Sequence, residues 1–302
     1  MEARVIAAAA FALAVSLPLS AADLKAKPQV LLDKLRADIE GVDRGLEGVL
    51  GVVVRDLTSG ATLELRGREV FPSASTIKLA VLYELYRQAE EGRVDLSAVV
   101  QPTSPRVAEG VLERLSDRVS LTVRDLAVLM MGWSDNEATN ELVRRLGRER
   151  INARLPSLGL SETHLRRQMM DLDAARRGEE NVTTPAELAR LVEILYRGEG
   201  LRPESTRDLL ALSLKPEAGA WLRQGLPDGV RAIAKSGSLE GARCEAAYVD
   251  LPGRPYSIAI MTAYLRRDAD GEDAIRQISA AVHSTFDRLA RSSEHGRVIS
   301  AR

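Results

Sequence analysis

VRAIAKSGSLEGARCEAAYVDLPGRPYSIAIMTAY, residues 230–264, reads as three strands in succession. The runs Val230 to Ala234, Cys244 to Leu251 and Tyr256 to Tyr264 are apolar, β-branched or aromatic, and too short for an ordinary helix. Pro252-Gly253 joins the last two as a turn. Lys235-Ser236-Gly237-Ser238 ends the first run, and a glycine there marks a turn or a close backbone approach. Strands joined this tightly pair antiparallel.

Outward from that block, Val49 to Val54 and Ala61 to Leu65 form a second hairpin around Thr58-Ser59-Gly60. A helix precedes it, Val30 to Leu46, with Leu31, Leu32, Leu35, Ile39 and Val42 on one stripe. Another amphipathic helix, Gly271 to Arg291, follows the last strand. The middle is helical: Ser75 to Glu91, Thr122 to Met131, Asn136 to Leu146, Arg148 to Leu155 and Thr184 to Tyr196. The last starts with Thr184-Pro185-Ala186-Glu187, a capping box with proline at the first helical position. Between Leu165 and Val182 lies a polar, Arg-rich stretch without period, and a loop of that length in a compact domain is usually functional.

The order predicts an α+β fold: a five-stranded antiparallel sheet covered by the terminal helices, with an all-helical lobe inserted between its hairpins. The sheet lobe takes residues 28–70 and 215–291, the helical lobe 71–214, and 292–302 read as a frayed tail. A site is expected in the cleft between lobes.

The formal charge of −1 excludes a polybasic nucleic-acid surface. Of 42 basic side chains only six are lysine: Lys25, Lys27, Lys34, Lys78, Lys215 and Lys235. Lysine can lose its proton when its surroundings disfavour the cation, and arginine cannot, so each retained lysine merits attention. A single cysteine, Cys244, forbids an internal disulfide and reads as a buried thiol in a strand. His164, His283 and His295 are scattered without metal-ligand spacing, so neither a metal nor a cofactor is implied. Trp133 and Trp221 suit cleft lining or core packing equally. Residues 1–22 read as a secretory signal. Val5 to Leu19 is apolar, shorter than a membrane span, and Ser20-Ala21-Ala22 supplies the small residues for cleavage near Ala22. A secreted or periplasmic chain with no stable membrane span is expected.

Three short motifs carry chemistry. In Ser75-Thr76-Ile77-Lys78 a hydroxyl and an ammonium group lie one helical turn apart, and a desolvated lysine can activate a serine hydroxyl. Ser134-Asp135-Asn136 opens a helix, with Asp135 suited to capping it. Lys235-Ser236-Gly237-Ser238 is the third. Each alone has a plain structural account; in this order they coincide far less often by chance.

With Ser-x-x-Lys, Ser-Asp-Asn and Lys-Ser-Gly in sequence, the chain resembles a class A β-lactamase or a close relative among the active-site serine penicillin-recognising enzymes. Phe71-Pro72, Leu121 to Leu126 and Thr183-Thr184-Pro185 extend the resemblance over nearly the whole mature chain. It implies Ser75 as acylating nucleophile, Lys78 as its base, and Ser134 as the hydroxyl that passes a proton to the leaving nitrogen. It also implies Asn136 as a substrate-amide contact, and Lys235, Ser236, Gly237 and Ser238 as the substrate-binding strand, with Ser236 and Ser238 taking a carboxylate. Backbone N–H groups of Ser75 and Ser238 would form the oxyanion hole. The second ammonium group should depress the pKa of Lys78.

One element of the family is missing. Its loop carries Glu-x-x-x-Asn, whose Glu activates the deacylating water. Here, aligned on Leu165 and Arg167, that position falls on Met169, and Asp171 is the nearest carboxylate in the loop. Asn181 stands where the family commonly pairs an Asp with Arg167, so a neutral hydrogen bond to that guanidinium is expected instead. The substrate implied is a β-lactam or an acyl-D-Ala-D-Ala-like molecule, handled by a monomer. A D-alanyl-D-alanine peptidase or esterase, and a penicillin-binding sensor trapped as acyl-enzyme, stand as the alternatives.

Overall fold

A computed structural model describes residues 27–103, 107–116, 118–213, 221–293 and 295–299. The expected leader, 1–22, lies outside them, as do Lys25 and Lys215. Among the described residues no helix is long and apolar enough to cross a membrane.

Strands β1 (Val49–Asp56), β2 (Thr62–Leu65), β3 (Ala232–Leu239), β4 (Ala242–Val249) and β5 (Tyr256–Ala263) form one sheet. Their order is β2-β1-β5-β4-β3, every pair antiparallel, so the two hairpins meet where β1 lies beside β5. Successive strand residues point to opposite faces, and the sheet uses both. Leu50, Val52, Val54, Ala247, Val249, Ile258 and Ile260 pack under α1 (Lys27–Gly45) and α10 (Asp268–Ala290). Val53, Cys244, Ala246, Ala259 and Met261 face the helical lobe. The centre of that lobe is α2 (Lys78–Glu90), buried continuously from Lys78 to Tyr86, as expected of a helix walled in on every side.

Around α2 stand α3 (Val123–Gly132), α4 (Asn136–Leu146), α5 (Arg148–Arg154), the short α6 (Leu172–Arg176), α7 (Pro185–Arg197) and α8 (Pro203–Ser213). A four-residue α9 (Trp221–Gln224) sits beside β3 and β4. A two-residue pairing of Phe71–Pro72 with Val182–Thr183 ties the approach to Ser75 to the end of the Arg-rich stretch.

Several details differ from the sequence reading. β3 continues through Lys235–Ser238 to Leu239, because each of those residues has a partner on β4. Two serines and a glycine resemble a strand end only when the ladder beside them is unknown. Helix α8 has a polar first half and only Leu209, Leu212 and Ser213 buried, which hid it from the periodicity test. The stretch after Leu165 holds the one-turn helix α6. At α7 only half of the capping box forms. Thr184 accepts from the Glu187 amide at 3.1 Å, whereas the Glu187 carboxylate accepts from Glu162 N and Thr163 Oγ1. The tail is not simply frayed, since Ser292 bridges to Val298 and Ser293 N donates to Arg297 O.

Candidate active site

Ser75 lies in a 3-10 turn, Ala74–Ile77, that runs directly into α2. Ala74 has φ +44°, a left-handed value that costs a non-glycine residue energy and turns the chain sharply before the serine. β3 presses against this turn. A methyl group on Gly237 would lie 2.8 Å from Ala74 Cβ, Cys244 Sγ and Ser75 N. The close approach foreseen at Gly237 is therefore made first by the turn that carries Ser75.

Lys78 is completely buried. Its ammonium group has three protons, and three acceptors take them: Ser134 O at 2.5 Å, Asn136 Oδ1 at 2.8 Å and Ser134 Oγ at 3.0 Å. Burial holds its pKa well below the ordinary lysine value, and the Lys235 charge lowers it further. Lys235 is also buried; its Nζ donates to Ser134 Oγ at 3.1 Å and Ser236 O at 2.8 Å. Burial brings Lys235 down to about 8. Ser134 Oγ thus accepts from both lysines, and its own proton is left to donate into the cleft. Ser134 is held there at φ +55° between α3 and α4.

Asp135 has the structural role expected of it. Its carboxylate caps α4 at Ala138 N and accepts from Val111 N and Leu112 N at 2.7 and 2.8 Å, fastening the cleft's outer loop. Asn136 adds a bond from Nδ2 to Ala108 O.

The resulting cavity, about 560 Å³, is lined by Ser75, Ser134, Ser236, Gly237, Ser238 and half-exposed Trp133, among others. A hollow of about 50 Å³ adjoins it and shares Ser75, Glu109 and Ser238. Its far wall is Met169, Met170 and Leu172. Met169 is buried and clamped by Asn140, whose side chain bonds both its N–H (2.8 Å) and its carbonyl (3.1 Å). Glu109 was missed in the sequence. It lies in a segment without pattern, yet among the described residues it is the one carboxylate lining either space.

Two expectations in the Arg-rich stretch are corrected. Asp171 does not reach the hollow: it is exposed, its Oδ1 caps α6 at Ala174 N, and it lines a separate surface depression with Arg144, Arg148 and Arg166. Asn181 does not bond the Arg167 guanidinium. Its side chain accepts from the Arg166 and Arg167 amides and donates to Arg167 O, and the guanidinium pairs with Glu180 at 2.8 Å. Cys244 is an inert thiol: it is buried, donates to Ser73 O, and burial pushes it up to about 12. The His164 backbone bridges to Val182, and Trp221 packs beneath the Arg243 guanidinium.

A serine at a helix entry, a buried lysine one turn on, and a hydroxyl shared by two lysines are an arrangement suited to a serine hydrolase. Comparison narrows the class. The model of the β-lactamase enzyme family matches residues 34–286, and the chain belongs to that family. Beta-lactamase AST-1 of Nocardia asteroides is 32% identical over 246 residues, 80% of this chain and 79% of that one. Among solved structures, PBP-A is 30% identical with a TM-score of 0.77, over 85% of this chain and 97% of its own. An L158E mutant of PBP-A is described as an acyl-enzyme complex with penicillin G, with the same identity and TM-score, over 86% of this chain and 97% of its own. An ancestral class A β-lactamase is 29% identical, also with a TM-score of 0.77, over 83% and 100%.

Proposed function

We propose that the protein is a secreted serine hydrolase whose Ser75 is acylated by β-lactams, and that the acyl-enzyme then turns over slowly. The observation that carries the first half is the bridge Lys78–Ser134–Lys235. Neutral Lys78, favoured by burial and by the second ammonium group, takes the Ser75 proton as Oγ attacks the lactam carbonyl. N–H groups of Ser75 and Ser238 stabilise the oxyanion, and Ser134 donates its proton to the nitrogen as the C–N bond breaks, while the Lys78 ammonium group, 3.0 Å from Ser134 Oγ, returns to it the proton taken from Ser75. Ser236 and Ser238, which line the cavity, hold the substrate carboxylate beside the Lys235 cation. Secretion rests on the leader-like residues 1–22.

The second half rests on Met169. Hydrolysis of an acyl-serine needs a water and a base; at the position where the family has a glutamate the hollow beside Ser75 is walled by Met169, and its one carboxylate among the described residues is Glu109, from a different segment. That observation also keeps the peptidase-like and trapped-sensor readings beside fast antibiotic turnover. The test is labelling by a fluorescent penicillin beside steady-state nitrocefin hydrolysis. The expected result is a stoichiometric adduct on wild type, its complete loss in Ser75→Ala, and slow nitrocefin turnover. Labelling that persists in Ser75→Ala would remove the proposal. Cleavage of an acyl-D-Ala-D-Ala peptide without any β-lactam adduct would replace it with a peptidase.

A further inference from the structure

Glu245 is a fully buried carboxylate that the chemistry above does not use. It stands on β4 directly opposite Ser236 on β3. Directly opposed residues in an antiparallel pair put their side chains on the same face, Cβ atoms about 5 Å apart. Glu245 is therefore one residue behind the hydroxyl assigned to the substrate carboxylate. Its Oε2 accepts from Leu222 N at 2.9 Å and the Trp221 N–H also supports the carboxylate, while Oε1 has no partner at hydrogen-bond geometry among the described residues.

The nearby cations are committed elsewhere. Lys235 donates to Ser134 Oγ and Ser236 O. On α9, Arg223 donates to Ala232 O. Beside it on β4, Arg243 is paired with Glu272 and Asp268 at the start of α10. From the middle of α10 comes the neutral Ser279, bonded to Leu222 O. A carboxylate so placed is incompletely compensated when ionised, and a second anion bound on Ser236 would face it across a site sheltered from water.

We propose that Glu245 is a positioning residue of the carboxylate subsite: it carries a proton whenever an anionic substrate is docked on Ser236, so docking takes up a proton at Glu245. This rests on the reading of Ser236 as that subsite. Burial raises the carboxyl group to about 7, which makes the proton available near neutral pH. The sign follows from linkage. Ligand binds the protonated form better, so acylation by anionic substrates weakens as pH rises through the carboxyl group's range. Ionised Glu245 also supports the charge on Lys235, which acts in the opposite direction.

The experiment reads that sign. Acylation rates for benzylpenicillin and for its methyl ester are measured from pH 6 to 8.5 in wild type and Glu245→Gln. Gln should raise the benzylpenicillin rate at pH 8.5 by about fivefold, change it less than about twofold at pH 6, and leave the ester unaffected. A fall at pH 8.5 would mean that Glu245 serves only to hold the Lys235 charge and would overturn the proposal, as would equal effects on acid and ester. Calorimetry of benzylpenicillin binding to Ser75→Ala, in two buffers of different ionisation heat, keeps the question open to test if the Gln variant fails to fold. About half a proton taken up per ligand at pH 7 supports the proposal, and uptake near zero rejects it. Failure of wild type to be labelled at all would instead strike the acylation reading itself.

Discussion

Two walls meet at Ser75, and they are built from opposite materials. On one side Lys78, Ser134, Asn136 and Lys235 form a continuous polar network in which every bond is between buried or half-buried partners. On the other, Met169, Met170 and Leu172 present thioethers and hydrocarbon. In the proposed chemistry acylation needs a base and a proton donor for the leaving nitrogen, and the polar wall holds the two groups assigned to those roles, Lys78 and Ser134. Deacylation needs a positioned water and a base; Met169, Met170 and Leu172 supply no base, and the hollow's one carboxylate among the described residues, Glu109, comes from the segment before Val111 instead. Under the proposed function, the difference assigns the two half-reactions to separable parts of the cleft, so that each can be perturbed alone.

The comparison breaks most severely at Lys78. Lys78→Arg keeps the positive charge but not the ability to deprotonate. Acylation by penicillin should fall by about 10²–10⁴, the usual range for loss of a positioned general base. In wild type the acylation rate for penicillin methyl ester, which carries no carboxylate to face Glu245, should rise with pH through the depressed Lys78 range, well below ordinary lysine titration, if the neutral amine is the base. In the Arg variant that limb should vanish. A rate-versus-pH profile that keeps its limb in Lys78→Arg would show that some other group is the base.

Next in size is Gly237→Ala. The added methyl group would meet backbone and Cβ atoms of the nucleophile turn at 2.8 Å, and backbone cannot swing aside as a long side chain can. Overpacking of this kind costs about 1–3 kcal/mol of stability. A displacement near 1 Å of the turn costs about 10² in rate. Melting and acylation should therefore both suffer in Gly237→Ala, and wild-type acylation in that variant would mean that the turn has slack the structure does not show.

How much of each wall was legible in the sequence follows from the kind of signal each carries. The polar wall is made by three local motifs, and each local helix or strand delivers its residues at fixed spacing. That is why Ser75, Lys78, Ser134, Asn136 and Lys235 could be named in advance. The sheet was likewise legible, since β1 and β5 are largely apolar runs, β2 alternates, and β4 is apolar from Ala246 onward, each bounded by turn residues. Contacts between distant segments were not. The partner of Arg167 proved to be Glu180, and the use of Asp171 as a helix cap depends on a one-turn helix too short to show a period. Glu109 is brought to the cleft by the carboxylate of Asp135, which bonds the two amides after Gly110. Nothing in the local pattern announces a loop pinned from another helix.

The apolar wall yields the smaller effects, and a pair of substitutions separates its residues. Met169→Glu places a carboxylate in the hollow, on a backbone already fixed by Asn140 on both its N–H and its carbonyl. With Ser75 lining the same hollow, such a group could orient a water toward the acyl carbon, and the acyl-enzyme lifetime should shorten at least about tenfold. Asp171→Asn should do almost nothing. The native carboxylate faces solvent and the Arg144–Arg148–Arg166 depression, and its one bond is the cap to Ala174 N. Asparagine caps helices about as well as aspartate, so stability should hold within a few tenths of a kcal/mol. The acyl-enzyme lifetime should stay within about twofold, followed by intact-protein mass spectrometry after a penicillin pulse. A long-lived adduct in Asp171→Asn beside an unchanged one in Met169→Glu would reverse the assignment. The water would then arrive by the loop's outer side, and the hydrocarbon wall would not be what slows it.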